Sequence, residues 1–147
     1  MKSSKRNQRA LTLLESIIAI GLLALATLSL LTVIVGGMKL MQRSNEMAAA
    51  NDVAKSVLEA VKRDFRVEGM DALPPAAYTF DGRIPDDADD TGPNTFPPSP
   101  YPSIIVGGRQ YSVVVEGQNE GTRVRRVKVS VYWDDDTPVV LETLLHP

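Results

Sequence analysis

The chain begins with a short basic leader and continues into a long uncharged segment. The leader carries Lys2, Lys5, Arg6 and Arg9 and no acid, and the run from Ser16 to Met38 contains no charged residue. At about 1.5 Å per residue its 23 positions make a helix of about 35 Å, enough to cross a hydrocarbon core of about 30 Å. The pattern predicts one membrane-inserted helix.

Beyond the apolar run, hydrophobic positions recur at spacings of three and four, as on one face of an amphipathic helix. This helix stripe comprises Ala50, Ala54, Val57, Leu58, Val61 and Phe65, and charged residues such as Lys55 and Glu59 fall between its members. Gly69 is a plausible stop signal. We therefore expect one helix from about Thr12 to Glu68, roughly 85 Å long, with a small domain packed on its stripe.

The C-terminal third alternates between hydrophobic and polar residues with the period of a β-strand. The turn signal Gly107-Gly108 precedes a strand from Tyr111 to Val115, and Gly117 to Gly121 predict a second turn. A further strand carries Val127, Val129, Val131 and Trp133, and an acidic turn from Asp134 to Pro138 leads into Val139 to Leu145. We expect an antiparallel sheet with one buried and one wet face, and hence an α+β fold in which the sheet covers the helix stripe.

Between Pro74 and Pro102 lie eight of the ten prolines and five aspartates. Because proline removes backbone donors, we expect an irregular surface loop with at most short strands, for instance around Tyr78 to Phe80. The acidic run from Asp86 to Asp90 could supply oxygen ligands to Ca²⁺, but Pro97 and Pro98 stand where a calcium loop would place its Glu. We favour a solvated charge run and predict no metal site.

Composition is that of a small exported domain on a stalk. Beyond the predicted helix, about 75 to 80 residues of globular chain remain, a size at which a core is marginal. There is no cysteine to supply disulfides, so stability must come from packing on the helix and on neighbours. The net charge is −2, and loss of the four basic leader residues leaves 12 basic against 18 acidic residues, or −6. Nucleic acid is not an expected partner.

Glu15 stands at the start of the uncharged run, where an ionised side chain is costly unless it is paired or reaches the interface. Ahead of it lies Ala10-Leu11-Thr12-Leu13-Leu14. The chain thus has a basic leader, a small residue at position 10, a Glu five positions after that residue and then an apolar run. This combination resembles the type IV prepilin signature. Ala10 replaces the usual Gly and Leu11 the usual Phe.

The prepilin resemblance implies cleavage between Ala10 and Leu11 by a prepilin peptidase, which also methylates the new amine of Leu11. The positively charged amine and the Glu15 carboxylate could then neutralise each other within one subunit or between neighbours and so set the register of packed helices. The implied regions are a removed leader, 1–10; a transmembrane and filament-core helix, 11–38; an amphipathic helix, 39–69; a variable loop region, 70–110; and an antiparallel sheet, 111–147.

The strand ending Tyr132-Trp133, the acidic turn and the strand containing Leu141-Glu142-Thr143 are similar to PilV-type minor pilins and to the I-type pseudopilins of type II secretion. This second resemblance implies a minor subunit of a type IV pilus or a secretion pseudopilus. Its partners would be other pilins or pseudopilins, the prepilin peptidase, the inner-membrane assembly platform and, before assembly, inner-membrane lipid. The leader's excess of basic residues predicts a cytoplasmic N-terminus and a periplasmic C-terminal domain in a bacterial inner membrane.

Three alternatives remain open for the N-terminal half. Ala24-Leu25-Ala26 could be a signal-peptidase site, although the apolar run continues well past it. Glu15 could simply sit at headgroup level. Gly36-Gly37 could form a bend or a locally melted joint in a packed filament, or could merely permit close helix packing.

Catalysis has little support in the sequence. His146 is the only histidine, no cysteine is present, and no usual nucleophile, metal or phosphate-binding motif occurs, so we predict no catalytic residue and no cofactor. We expect His146 to be exposed and Trp133 to be a core or edge-strand side chain. The leading functional class is a structural filament subunit; the others are a binding module that uses the Pro/Asp-rich loop, and an enzyme or lipid-interacting protein on a membrane anchor.

Overall fold

The computed structural model describes residues 4–84, 96–121, 123–134 and 137–146, with side chains from Leu13 onward. One long N-terminal helix is followed by a small antiparallel sheet, which confirms the α+β architecture. The elements are α1 (Ser4–Glu68), a short 3-10 helix (Gly69–Ala72), β1 (Tyr78–Asp81), β2 (Ser103–Val106), β3 (Arg109–Asn119), β4 (Arg125–Tyr132) and β5 (Val139–Leu145). The chain divides into two compact units, Met1–Arg43 and Ser44–Pro147.

Helix α1 begins earlier than predicted and ends where predicted. It starts at Ser4 rather than near Thr12, because no proline or glycine interrupts helical geometry before Gly21. It ends at Glu68, and Gly69 takes a φ of +66°, a left-handed conformation that glycine adopts without steric cost. The helix runs without interruption through Gly36 and Gly37, so a joint there remains a prediction for packed helices.

The core of the Ser44–Pro147 unit lies between the helix stripe and one face of the sheet. All six predicted stripe residues are buried, with at most 8% of their surface exposed. They contact a layer of fully buried valines from the sheet: Val113, Val115, Val127, Val129 and Val131. The spacing of three and four along the helix and the alternation along the strands therefore predicted the two surfaces that pack together.

The five-stranded sheet has the order β1-β3-β4-β5, and β2 also pairs with β3. All pairings are antiparallel. The long strand β3 pairs through residues 109–112 with β2 and through residues 114–117 with β1, so the two short strands lie end to end along one of its edges. The predicted turn at Gly107-Gly108 is confirmed, with φ angles of +59° and +81° that suit a tight two-residue hairpin.

The region 70–110 contributes more to the domain than the sequence analysis expected. The short strand near Tyr78 is confirmed as β1, but β2 was not anticipated. Phe96 is also buried, and its ring centroid lies 5.2 Å from that of Tyr78 and 5.7 Å from that of Phe80. The expectation of a surface loop was wrong for Phe96 and Pro97, which are buried, and for Ser103–Val106, which forms a strand, because Phe96 and Ile104 pack into the core.

The predicted turn from Gly117 to Gly121 begins too early, because Gly117 belongs to a strand. Strand β3 continues to Asn119, and Gly117 pairs with both Tyr78 and Val127. A side chain at Gly117 would bring its Cβ within 2.5 Å of the Tyr78 hydroxyl oxygen and closer still to two ring carbons. This glycine therefore makes room for an aromatic ring within the sheet rather than ending the strand.

Candidate functional site

The residues of the predicted cleavage site lie in α1. The backbone of Ala10 and Leu11 is helical, and their side chains are outside the described part of the structure. Cleavage after Ala10 and methylation of Leu11 therefore remain predictions.

Glu15 is exposed on α1, directly before the uncharged run. It forms no ion pair with any side chain that the structure describes. Within one copy of the chain, a partner for this carboxylate would have to come from the N-terminal residues whose side chains are not described. Between copies, it would come from a neighbour, as the assembly hypothesis requires.

The apolar segment of α1 is exposed on every side. Every described side chain from Leu13 to Arg43 is exposed, including those of the most apolar stretch. The exposed fractions of its large hydrophobic side chains range from 49% at Ile34 to 74% at Val33, so no stripe of this segment is covered by the residues that the structure describes. Such a surface needs an apolar surrounding, and a helix of this length is compatible with a membrane anchor.

Hydroxyl groups within the apolar segment bond to their own helix. Thr27 Oγ1 donates to the carbonyl of Ala24 at 2.8 Å, Ser29 Oγ to that of Leu25 at 2.8 Å, and Thr32 Oγ1 to that of Leu28 at 3.0 Å. Lipid offers no hydrogen-bond partners, so a polar side chain in hydrocarbon must be satisfied internally. These three hydroxyls meet that requirement without a neighbour.

The sheet face opposite the helix carries a cluster that the sequence analysis missed. Arg83 donates to the Asp81 carboxylate through Nε at 2.9 Å and Nη2 at 2.5 Å, and its guanidinium carbon lies 4.1 Å from the centroid of the Tyr132 ring. The hydrogen bond from Arg83 is the main cause that lowers the pKa of Asp81 below its usual value. Val114 and Ser130 on this face are buried, so the face predicted to be wet is only partly exposed.

A shallow cleft of about 320 Å³ opens beside this cluster, lined by Arg83, Gln110, Ser112, Tyr132 and Trp133 among others. Trp133 is half-buried against the core, and its ring centroid lies 6.4 Å from that of Tyr111, as expected for a packing residue. The only sequence signal for the cluster was Asp81-Gly82-Arg83 directly after a strand, which does not by itself place Arg83 on Tyr132.

The described residues contain no group of three or more His, Asp or Glu side chains that could hold a metal ion. The calcium alternative concerned the acidic run from Asp86 to Asp90. That run lies outside the described residues. His146 is exposed, as expected.

Three kinds of comparison with known proteins found no counterpart. No family model, no curated protein and no solved structure matches the chain.

Proposed function

We propose that the chain is a minor structural subunit, a minor pilin or pseudopilin, of a type IV pilus or type II secretion pseudopilus. It would help to initiate, cap or assemble a thin filament whose core is formed by the segments from Leu11 to Met38. The observation that carries the proposal is the exposed apolar part of α1 with one acid, Glu15, at its start, followed by a helix stripe that is buried under a sheet.

Each part of this arrangement has a role in assembly. In the membrane, lipid surrounds the exposed apolar side chains; in a filament, equivalent helices of neighbouring subunits would replace the lipid. The charge of Glu15 opposes its burial among those helices unless a cation is present. The amine of Leu11, created by cleavage after Ala10, supplies a cation four positions away in the same subunit or in a neighbour.

The sheet that packs on the helix stripe gives each subunit a domain outside the bilayer. The basic leader favours a cytoplasmic N-terminus and hence a periplasmic domain, in a single pass through a bacterial inner membrane. Processing by the prepilin peptidase, contact with the assembly platform and packing against other pilins or pseudopilins follow from the same proposal.

The decisive experiment is the intact mass of the membrane-extracted protein, with N-terminal fragmentation, from cells with and without the prepilin peptidase. We expect a mature start at N-methylated Leu11 that disappears without the enzyme. A matched variant, Ala26→Leu, removes the small residue of the competing signal-peptidase site and should leave the Leu11 start unchanged. A start at Thr27, or an uncut Met1 in peptidase-containing cells, would contradict the proposal.

A further inference from the structure

The hairpin that joins β2 to β3 presents apolar side chains at its tip. The tip consists of Ile105, Val106, Gly107 and Gly108, with Arg109 directly after it. Ile105 is 71% exposed and Val106 is 37% exposed, although both belong to a strand of the sheet. These two β-branched residues beside a two-glycine turn form a narrow apolar edge, which the described chain covers in part at Val106 and leaves largely open at Ile105.

An ion pair attaches this hairpin tip to the beginning of the helix in the same unit. Arg109 Nη1 pairs with Glu46 Oε1, and the side chain of Glu46 is only 17% exposed. The far end of the sheet lies at the other end of the helix stripe, where Leu145 lines a groove together with Lys62 and Phe65. The hairpin tip therefore occupies the end of the domain at which the helix enters.

The sequence limits how far the hairpin tip can be from the bilayer. Glu46 follows Met38, the last residue of the uncharged run, by eight residues. Eight residues span about 12 Å as a helix and at most about 29 Å when fully extended. Lys39 and Arg43 lie within this interval, and basic residues in such a position are attracted to lipid headgroups.

We propose that the hairpin tip is a membrane-contact site that seats the domain on the bilayer holding the apolar helix before assembly. The occupant is a lipid surface, because the tip combines exposed apolar side chains with a tether of eight residues to the membrane segment. The inference rests on the membrane-anchoring part of the proposed function. Incorporation into a filament would then require the tip to leave the lipid.

The absence of cysteine allows a direct test in the full-length chain. Single-cysteine variants Ile105→Cys, Gln118→Cys and Leu25→Cys would each carry an environment-sensitive fluorophore in phosphatidylcholine vesicles. Lipids bearing a nitroxide near the headgroup or near the chain end then report contact and depth. Gln118 is the matched control, because it is also exposed but lies far from the hairpin tip. Ile105 pairs with Gln110 on β3, and Gln118 lies eight residues further along that strand, or about 27 Å at about 3.4 Å per residue.

We expect the headgroup-level nitroxide to quench the probe at residue 105 at least about twofold more than the probe at residue 118. The chain-end nitroxide should quench the probe at residue 25. Equal quenching at 105 and 118 with strong quenching at 25 would overturn the contact site but leave the anchor intact. Emission at shorter wavelength without lipid quenching at 105 would indicate a protein contact and would also overturn the inference. No quenching at 25 would overturn the anchor and the contact together.

A charge at the hairpin tip provides a second test. With the probe at residue 105, Val106→Glu should reduce quenching to the level seen at residue 118, because a carboxylate opposes entry into the apolar layer. The matched control is Val140→Glu, on β5, where the valine is 45% exposed. Unchanged quenching in Val106→Glu, or an equal loss in Val140→Glu, would contradict the inference.

Discussion

Gly82 lies where the two short strands meet along the edge of β3. Its N–H donates to the carbonyl of Val113 at 2.9 Å, and the N–H of Val113 donates to the carbonyl of Pro102 at 2.9 Å. A Cβ at Gly82 would lie 2.7 Å from the Val113 oxygen and closer still to the Pro102 oxygen. Both obstacles are backbone atoms, so they cannot move aside as a side chain can.

We therefore expect Gly82→Ala to lower the free energy of unfolding by about 1–3 kcal/mol, because the edge pairing must shift to admit the methyl group. Thermal or urea unfolding of the full-length chain in detergent, followed through the circular dichroism of the sheet, measures the change. Gly121→Ala is the control, since nothing lies within 4 Å of its Cβ position. Equal midpoints for the two variants would show that the close approach at Gly82 does not constrain the sheet.

Asp81 makes stability depend on pH. Its pKa is held below the usual value of about 3.9 by the hydrogen bonds from Arg83, so the unfolded chain binds the proton more readily. The stabilisation is therefore complete above the usual pKa and is lost as the pH falls through the lower, folded value.

We expect Asp81→Asn to destabilise the protein by about 1–2 kcal/mol at neutral pH. The difference from the wild type should shrink in acid, as the pH falls below the usual pKa of an aspartate and through the lower, folded value. Unfolding midpoints measured across this range test the prediction. Asp64→Asn is a suitable control, because the Arg63–Asp64 pair is exposed and should contribute less than about 0.5 kcal/mol. A difference that stays constant with pH would mean that ionisation of Asp81 is not involved.

At the scale of elements, the sequence predicted those parts of the fold that have a strong period. The helix stripe and the buried valines of β4 follow directly from periods near 3.6 and 2. Strand β2 was missed because its four residues follow a proline cluster, and the role of Gly117 was missed because it depends on a Tyr78 ring 39 positions away. Likewise, the contact of Arg83 with Tyr132 arises only when the register of β1, β3 and β4 is set.

The packing of helix on sheet can be tested at Ala54, which is fully buried in the middle of the helix stripe. We expect Ala54→Leu to destabilise the domain by about 1–3 kcal/mol, because three extra carbon atoms must fit against the valines of the sheet. Ala48→Leu places the same side chain on an exposed position of α1 and should be nearly neutral. Chemical unfolding of both variants in detergent gives the comparison, and equal stability would mean that the helix and sheet are not tightly packed there.

The molecule as a whole combines a domain that buries its own core with a helix segment whose described side chains are all exposed. The sequence could predict both halves, since one has amphipathic periodicity and the other has a continuous apolar run. What surrounds the exposed segment could not be predicted in the same way, because the described chain does not supply those contacts. Glu15 is the acid at the start of this segment, and its charge is costly in an apolar surrounding unless it is paired.

We expect Glu15→Gln to leave the protein in the membrane fraction but to remove it from purified filaments. Membrane insertion depends on the apolar run, which the substitution does not shorten, whereas packing between subunits would lose the carboxylate that neutralises the Leu11 amine. The measurement is the ratio of variant to wild-type protein in sheared filaments and in membranes, by quantitative mass spectrometry of co-expressed chains. Glu59→Gln, on the exposed face of α1, is the matched control and should be incorporated normally. Equal incorporation of the Glu15→Gln chain would show that the acid is not required for assembly.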